Sequence, residues 1–204
     1  MKKPLCLILA IVLMLVPAGC SKPGVSEALS TGSEAGSSKD ISLIFADIKA
    51  SYIPLYGIMI NCGAWNDAQE IPVYMYYAWY REYINSITEK DERIEKYSYD
   101  GIPGWSYPKD EFESFVGKYF NVDAKYLQSG DIYNEELQIY SCEGGRAMAD
   151  YTMELQSPED ITLDNDLAYV KIYCENSYES KHFCLVLDIS AEPYRFISCL
   201  DEPI

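Results

Sequence analysis

The sequence predicts an α+β domain in which N-terminal helices pack on a curved antiparallel sheet formed mainly by the C-terminal half of the chain. Apolar residues recur at helical spacing between Ile41 and Leu127, whereas apolar and polar residues tend to alternate after Leu137. The later segments follow one another through short polar links, as consecutive strands of an antiparallel meander do. Helices first and strands afterwards therefore indicate separate helical and sheet regions.

The helices are predicted from spacing, caps and breakers, in chain order. Residues 41–51 form the first helix, with Asp40 at its N-cap position. Residues 51–65 contain one proline and two glycines, so this stretch is either a short buried strand or a broken helix. The clearest helix opens at Pro72 and continues to about residue 96, because apolar residues recur through it at helical spacing. A further helix follows Pro108, and a short helical turn comes after it.

The strands are predicted from alternation between turn signals. The segments with this alternation are residues 137–142, 148–155, 167–174, 182–189 and 194–200. Turns are predicted at residues 144–145, 164–166 and 192–193, which are rich in Gly, Asn, Asp and Pro. The last three strands are close enough in sequence to pair with their neighbours.

An export signal is predicted over residues 1–19. Lys2 and Lys3 make a short positive start, and residues 5–16 are almost entirely aliphatic. This run is shorter than the roughly 20 apolar residues that a membrane-spanning helix needs. A charged start, a short apolar run and a small-residue cleavage site are the features of a secretory signal.

Residues 16–20, Val-Pro-Ala-Gly-Cys, resemble the lipobox of bacterial lipoproteins, although Pro17 stands where that pattern usually has an aliphatic residue. The resemblance implies that a lipid is attached to the Cys20 thiol, that the leader is cut off before it, and that the chain is anchored to the outer face of the membrane. Residues 20–40 are rich in Ser and Gly, which predicts a flexible linker. Residues 41–204, which follow this linker, are predicted to form a single domain. The alternative is a plain secretory signal followed by an incidental cysteine.

Three regions of the mature chain carry a second resemblance: the aromatic helix 73–87, the stretch 107–122 and the strands within 167–200. In these regions the chain resembles uncharacterised lipoproteins of Gram-positive anaerobes. Its order of elements is similar to that of the cystatin-like and nuclear-transport-factor-like cone folds. The resemblance implies helices packed on a curved sheet, and it supplies no catalytic residue.

The chain is strongly acidic, with 32 Asp and Glu against 16 Lys and Arg and a formal net charge of −16. Removal of a leader that contains two lysines and no acidic residue would take this charge from −16 to −18. Nucleic-acid binding needs clustered Lys and Arg, so nucleic acid is excluded as an expected partner. The charge also disfavours adhesion to anionic lipid, which leaves the lipid on Cys20 as the predicted membrane contact.

The sequence nominates no catalytic residue, no set of metal ligands and no cofactor. His182 is its only histidine, so a histidine zinc site would lack ligands, and any Ser-His or Cys-His mechanism would depend on this one residue. His182 is predicted to be a solvent-facing strand residue instead. Among 32 carboxylates some pair would meet the spacing of a glycoside hydrolase by chance, so no pair can be singled out.

The predicted domain contains five cysteines: Cys62, Cys142, Cys174, Cys184 and Cys199. Thiols outside the cytoplasm tend to pair, and an odd number leaves at least one of them free. Cys174 and Cys184 lie on two predicted strands across one loop and are the best-placed disulfide candidates. In an anaerobe all five could instead stay reduced as small core residues.

Aromatic residues are abundant, with 19 Tyr and 3 Trp. Most of the tyrosines, among them Tyr76 and Tyr119, fall on helical stripes that are predicted to face the core. Trp105 and Tyr107 differ because they lie in the Pro- and Gly-containing loop 102–108, and loops on a rigid scaffold are common places for contacts. These two side chains are therefore the predicted binding residues.

Three functions remain open at this level. The first is a lipid-anchored, non-enzymatic domain that binds an envelope protein, a peptide or a glycan, and the surplus of aromatic residues favours it. The second is a hydrolase that acts on envelope glycans through two carboxylates, and the third is a structural or inhibitory module. A concave pocket with converging carboxylates, or an exposed aromatic patch, would distinguish between them.

Overall fold

The computed structural model describes residues 40–57, 59–143 and 151–202, and the predicted α+β class is confirmed in them. Helices come first, and an antiparallel sheet is formed by the C-terminal half. The predicted leader, Cys20 and nearly all of the predicted linker lie outside the described residues, as does the predicted turn at residues 144–145. Within the described ranges, no helix has the length and apolar character to cross a membrane.

The first helical region begins directly after Asp40. Its segments are α1 (Ile41–Asp47), a π-helical turn (Ile48–Tyr52), α2 (Ile53–Tyr56) and a 3-10 turn (Met59–Cys62). Helix α1 is capped as predicted, since the Asp40 carboxylate accepts the backbone N–H of Ser42 at 2.9 Å. The stretch that permitted either a strand or a broken helix is therefore a broken helix.

The remaining helices are α3 (Val73–Ile87), α4 (Lys90–Tyr97), α5 (Lys109–Tyr119) and α6 (Ala124–Gln128), with a 3-10 turn (Ala68–Glu70) before them. The long helix predicted from Pro72 to about residue 96 is divided, because Thr88 adopts an extended conformation. Arg93 of α4 reaches back and donates to the carbonyl oxygens of Asn85 at 3.1 Å and of Thr88 at 2.6 Å. The Arg93 guanidinium of α4 thus supplies hydrogen-bond donors to backbone carbonyls at the C-terminal end of α3.

Among the described residues, eight strands form two antiparallel sheets. The small sheet contains β1 (Ser106–Pro108), β2 (Tyr133–Asn134) and β3 (Ile139–Ser141), in the order β1-β3-β2. The large sheet contains β4 (Thr152–Glu154), β5 (Ile161–Asp164), β6 (Leu167–Glu175), β7 (Ser180–Asp188) and β8 (Arg195–Glu202). In it β4 and β5 both pair with β6, which is followed by β7 and β8. The three C-terminal strands are confirmed, whereas β1, β2 and β5 are not predicted by the sequence.

The core lies between the helices and one face of the large sheet. That face is lined by fully buried residues of β6 and β7, namely Ala168, Val170, Ile172, Leu185 and Leu187. Phe120, which follows α5, is surrounded by the rings of Phe196, Tyr76, Trp79 and Trp65, at centroid distances of 5.0, 5.2, 5.2 and 5.9 Å. Phe120 also forms a parallel bridge with Phe196 of β8, so the helices and the sheet meet at this residue.

Candidate functional site

The structure places the two predicted binding residues in different environments. Tyr107 belongs to β1 and is 1% exposed, and its ring centroid lies 5.3, 4.8 and 4.9 Å from those of Tyr77, Tyr80 and Tyr97. Its predicted part in a surface contact is therefore wrong, because the strand turns this side chain into the core. Trp105 is half-buried, and its carbonyl oxygen accepts the Tyr77 hydroxyl at 2.6 Å. A binding role for Trp105 stays a prediction.

The predicted disulfide between Cys174 and Cys184 is wrong. In the register of β6 and β7, Cys174 lies opposite Lys181 and Cys184 lies opposite Lys171. This offset of three residues corresponds to roughly 10 Å along the strands, and an odd offset places the two thiols on opposite faces of the sheet. A disulfide needs Cα atoms within about 7 Å. Both thiols are free, and burial raises the pKa of Cys174 to about 11.

His182 is half-buried on the face of β7 that points away from the core, which agrees with its prediction as an outward-facing strand residue. Its ring meets that of Tyr173 edge-on at a centroid distance of 4.9 Å. Both residues line a polar cavity of 220 Å³ together with Glu154 and Glu175. In the part of the chain that the structure describes, no group of three His, Cys, Asp or Glu side chains is arranged to hold a metal ion.

A row of half-buried aromatic rings lies where α3 and α5 meet. Tyr83 of α3 and Phe115 and Tyr119 of α5 are each partly exposed, and Trp79 packs behind them with 1% exposure. The ring centroids of Tyr83 and Phe115 are 4.4 Å apart, and those of Phe115 and Tyr119 are 5.4 Å apart. Trp79 contacts Phe115 and Tyr119 at 4.7 and 5.6 Å. We call Tyr83, Phe115 and Tyr119, with Trp79 as their floor, the aromatic band.

The aromatic band follows from i, i+4 spacing on two neighbouring helices. Trp79 and Tyr83 are such a pair on α3, and Phe115 and Tyr119 are such a pair on α5. Each pair lies at the border of the buried stripe of its helix, so at least one ring of each pair remains half-exposed. Helical spacing in the sequence predicts core-stripe positions for Tyr83, Phe115 and Tyr119, but not for Trp79. It does not show that the two borders meet on one surface.

A groove of 330 Å³ lies beside the aromatic band, between α2 and α3. Pro54 and Leu55 belong to one side of it, and Trp79 and Tyr83 belong to the other. The Trp79 Nε1–H donates to the Leu55 carbonyl oxygen at 2.5 Å, which fixes the indole in the groove wall. The polar side chains that line the same groove are Ser51, Glu82 and Ser86. Ring faces, hydroxyls and a carboxylate therefore share one concave surface.

A second cavity, of 350 Å³, lies at the Tyr119 end of the aromatic band, and we call it the end cavity. Lys118, at the end of α5, forms part of its wall, and the Lys118 Nζ is 5.4 Å from the centroid of the Tyr119 ring. The rest of the wall comes from the connection between β7 and β8, including Asp188, Glu192 and Arg195. The end cavity thus combines two cationic and two acidic side chains.

A partly buried carboxylate joins three helices behind the aromatic band. Glu111 of α5 accepts the hydroxyls of Tyr80 and Tyr97, both at 2.5 Å, and forms an ion pair with the Lys96 Nζ at 3.0 Å. Burial alone would raise the pKa of Glu111, but the two hydroxyls and the lysine outweigh it and hold this pKa below its ordinary value. The Tyr80 ring packs against Phe115 at 4.9 Å, so the cluster supports the aromatic band.

Comparison with known proteins gives no family for this chain. No model of a known protein family matches it, and neither a curated protein nor a solved structure matches it at a significant level.

Proposed function

We propose that the chain is an exported protein, anchored through a lipid on Cys20, whose domain binds a glycan of the cell envelope along the aromatic band. The export signal and the lipobox-like residues before Cys20 support the location. The observation that carries the binding is the row of three half-exposed rings over a buried tryptophan, with a groove beside it. Pockets lined by aromatic side chains with a few polar groups are typical of ligand sites.

A glycan suits this surface because a sugar presents apolar C–H faces and hydroxyl groups in turn. The exposed parts of the Tyr83, Phe115 and Tyr119 rings can pack against the C–H faces, since aromatic side chains favour apolar contacts. The two serine hydroxyls of the groove donate to the Asp47 carboxylate and to the Tyr83 carbonyl oxygen, so these hydroxyls and the Glu82 carboxylate can accept hydrogen bonds from sugar hydroxyls. One extended sugar chain could therefore contact both the aromatic rings and the polar groups of the groove.

The contact surface is held in place before any ligand arrives. The Trp79 indole is bonded to the Leu55 carbonyl, and Tyr80, behind Phe115, is bonded to Glu111. Aromatic side chains have few torsions to lose on binding, and a preformed site avoids the free energy of ordering a loop. This favours the aromatic band over the loop around Trp105 as the main contact.

Replacing Tyr83 by alanine is expected to weaken glycan binding by about 10- to 30-fold, because a central aromatic contact commonly contributes about 2 kcal/mol. The probe is chitotetraose, a β-1,4-linked tetramer of N-acetylglucosamine, titrated by calorimetry and by tryptophan fluorescence. Tyr178→Ala is the matched control, since Tyr178 lies in the loop between β6 and β7 and is 96% exposed. It is expected to bind like the wild type.

Other outcomes of the same titration would favour a different contact surface or a different function. Equal affinities of the wild type and Tyr83→Ala would remove the aromatic band as the contact. Binding of short peptides in place of chitotetraose would favour the peptide alternative. Release of shorter sugars from the tetramer would favour the hydrolase alternative.

The lipid anchor has its own test in a bacterial host fed a labelled fatty acid. The wild type is expected to take up the label, and Cys20→Ala is expected to lose it completely, because the thiol is the acceptor that the lipobox resemblance implies. Cys6→Ala is the control, since Cys6 lies within the predicted leader. Equal labelling of the wild type and Cys20→Ala would refute the anchor.

A further inference from the structure

The geometry points to a subsite for an anionic substituent of a sugar chain in the end cavity, formed by Lys118 and Arg195. This inference rests on the proposed glycan function and narrows it to a class of glycan. A carboxylate or phosphate group would occupy the 350 Å³ cavity while a neighbouring sugar ring lies on Tyr119.

The end cavity adjoins the aromatic band at Tyr119. Lys118 immediately precedes Tyr119, and its ammonium group lies 5.4 Å from the centroid of that ring. On the other side, Arg195 follows Tyr194, whose ring stacks on that of Tyr52 at 4.8 Å. Because Lys118 and Arg195 line one cavity and Lys118 contacts Tyr119, a sugar chain that reaches Tyr119 would bring its next substituents to the two cations.

The two cations of the end cavity are not held by ion pairs within the described residues, although the Lys118 ammonium group lies over the Tyr119 ring. Four of the other basic side chains form ion pairs with nearby carboxylates, namely Arg81, Lys96, Lys171 and Lys181. Among the residues that the structure describes, neither Lys118 nor Arg195 forms such a pair. Of the two lining carboxylates, Asp188 lies opposite Arg195 in the register of β7 and β8 and accepts the backbone N–H of Ser190 at 2.9 Å, and Glu192 is exposed to solvent.

A guanidinium and an ammonium group together suit a carboxylate or a phosphate. Arginine offers parallel donors to both oxygens of such a group, and lysine adds a point charge. The net charge of −16 repels anions at long range, but charges more than about 8 Å away are largely screened at physiological salt. The groove at the other end of the aromatic band contains Glu82, so the difference in charge would also orient the ligand.

Three tetrasaccharides test the subsite: neutral chitotetraose, a tetramer that alternates glucuronic acid with N-acetylglucosamine, and chitotetraose that carries a 6-phosphate. We expect the wild type to bind at least one anionic probe about tenfold more tightly than the neutral one, as for one added charge-assisted hydrogen bond. The double variant Lys118→Gln/Arg195→Gln is expected to lose this preference and to bind chitotetraose like the wild type. The better anionic probe identifies the group as a carboxylate or a phosphate.

Lys90→Gln is the charge control, because it removes an exposed lysine at the start of α4 and is expected to keep the preference. Lys118 and Arg195 are exposed, so the double variant is expected to melt within a few degrees of the wild type. If the wild type binds all three probes equally, or the double variant keeps the preference, the subsite is overturned while the glycan function stands. If none of the probes binds, the proposed function fails together with the subsite.

Discussion

Replacing Phe120 by alanine is expected to lower the free energy of unfolding by about 3 to 5 kcal/mol, as for other buried phenylalanines. Phe120 is 1% exposed, and its ring lies 5.2 Å from that of Trp79 and 5.0 Å from that of Phe196. Loss of the ring leaves a cavity between the helices and β8. The neighbours can fill it only in part, because the Trp79 indole is fixed by its hydrogen bond to Leu55. Urea unfolding followed by circular dichroism measures the change.

Two further variants show whether the effect comes from the lost volume. Phe120→Leu keeps part of the side chain and is expected to lose less than half as much stability as Phe120→Ala. Tyr178→Ala removes a larger ring from a site that is 96% exposed, and is expected to stay within about 0.5 kcal/mol of the wild type. If Phe120→Ala unfolded at the same urea concentration as the wild type, the ring would not lie between helices and sheet.

Helices and long strands could be predicted here because their signals are local. Asp40 caps α1 through a residue two positions away, and Pro72 and Pro108 each stand directly before a helix. The elements that differ from the prediction depend on contacts between residues that are separated in the sequence. Thr88 interrupts the helical pattern where Arg93 reaches back, and β1 forms because Tyr107 pairs with Tyr140 of β3.

The disulfide prediction fails for a related reason, which is register. Alternation predicts which residues form a strand but not which residue of the next strand lies opposite. Strand β7 begins at Ser180, two residues before its predicted start, and Cys174 pairs with Lys181. Cys184 therefore lies three residues beyond the partner of Cys174 on β7, and its side chain is on the opposite face of the sheet.

The aromatic band shows the same limit at the candidate site. Helical spacing predicts that Tyr83, Phe115 and Tyr119 all face inwards. Only the packing of α3 beside α5 brings Tyr83 within 4.4 Å of Phe115 while both stay partly exposed. Exposure at the border of a stripe depends on the neighbouring helix, and no local signal encodes that neighbour.

Replacing Glu111 by alanine is expected to lower the free energy of unfolding by about 2 to 4 kcal/mol. The hydroxyls of Tyr80 and Tyr97 lose their acceptor, and each buried hydroxyl without a partner costs about 1 to 3 kcal/mol. Asp110→Ala is the control, because Asp110 is an exposed carboxylate in the same first turn of α5. It is expected to change stability by about 0.5 kcal/mol, the contribution of a surface charge near a helix N-terminus.

The contribution of Glu111 is also expected to depend on pH, with a defined sign. Its folded pKa is held below the unfolded value of about 4.3, so folding favours the charged form. Stabilisation from a lowered carboxyl pKa is complete above about pH 5 and is lost as the pH falls through the folded pKa. The stability difference between the wild type and Glu111→Gln is therefore expected to be constant from about pH 7 to pH 5 and to shrink below about pH 4. A difference that grew on acidification would mean that Glu111 is protonated in the fold, and Tyr80 and Tyr97 would then not share a carboxylate acceptor.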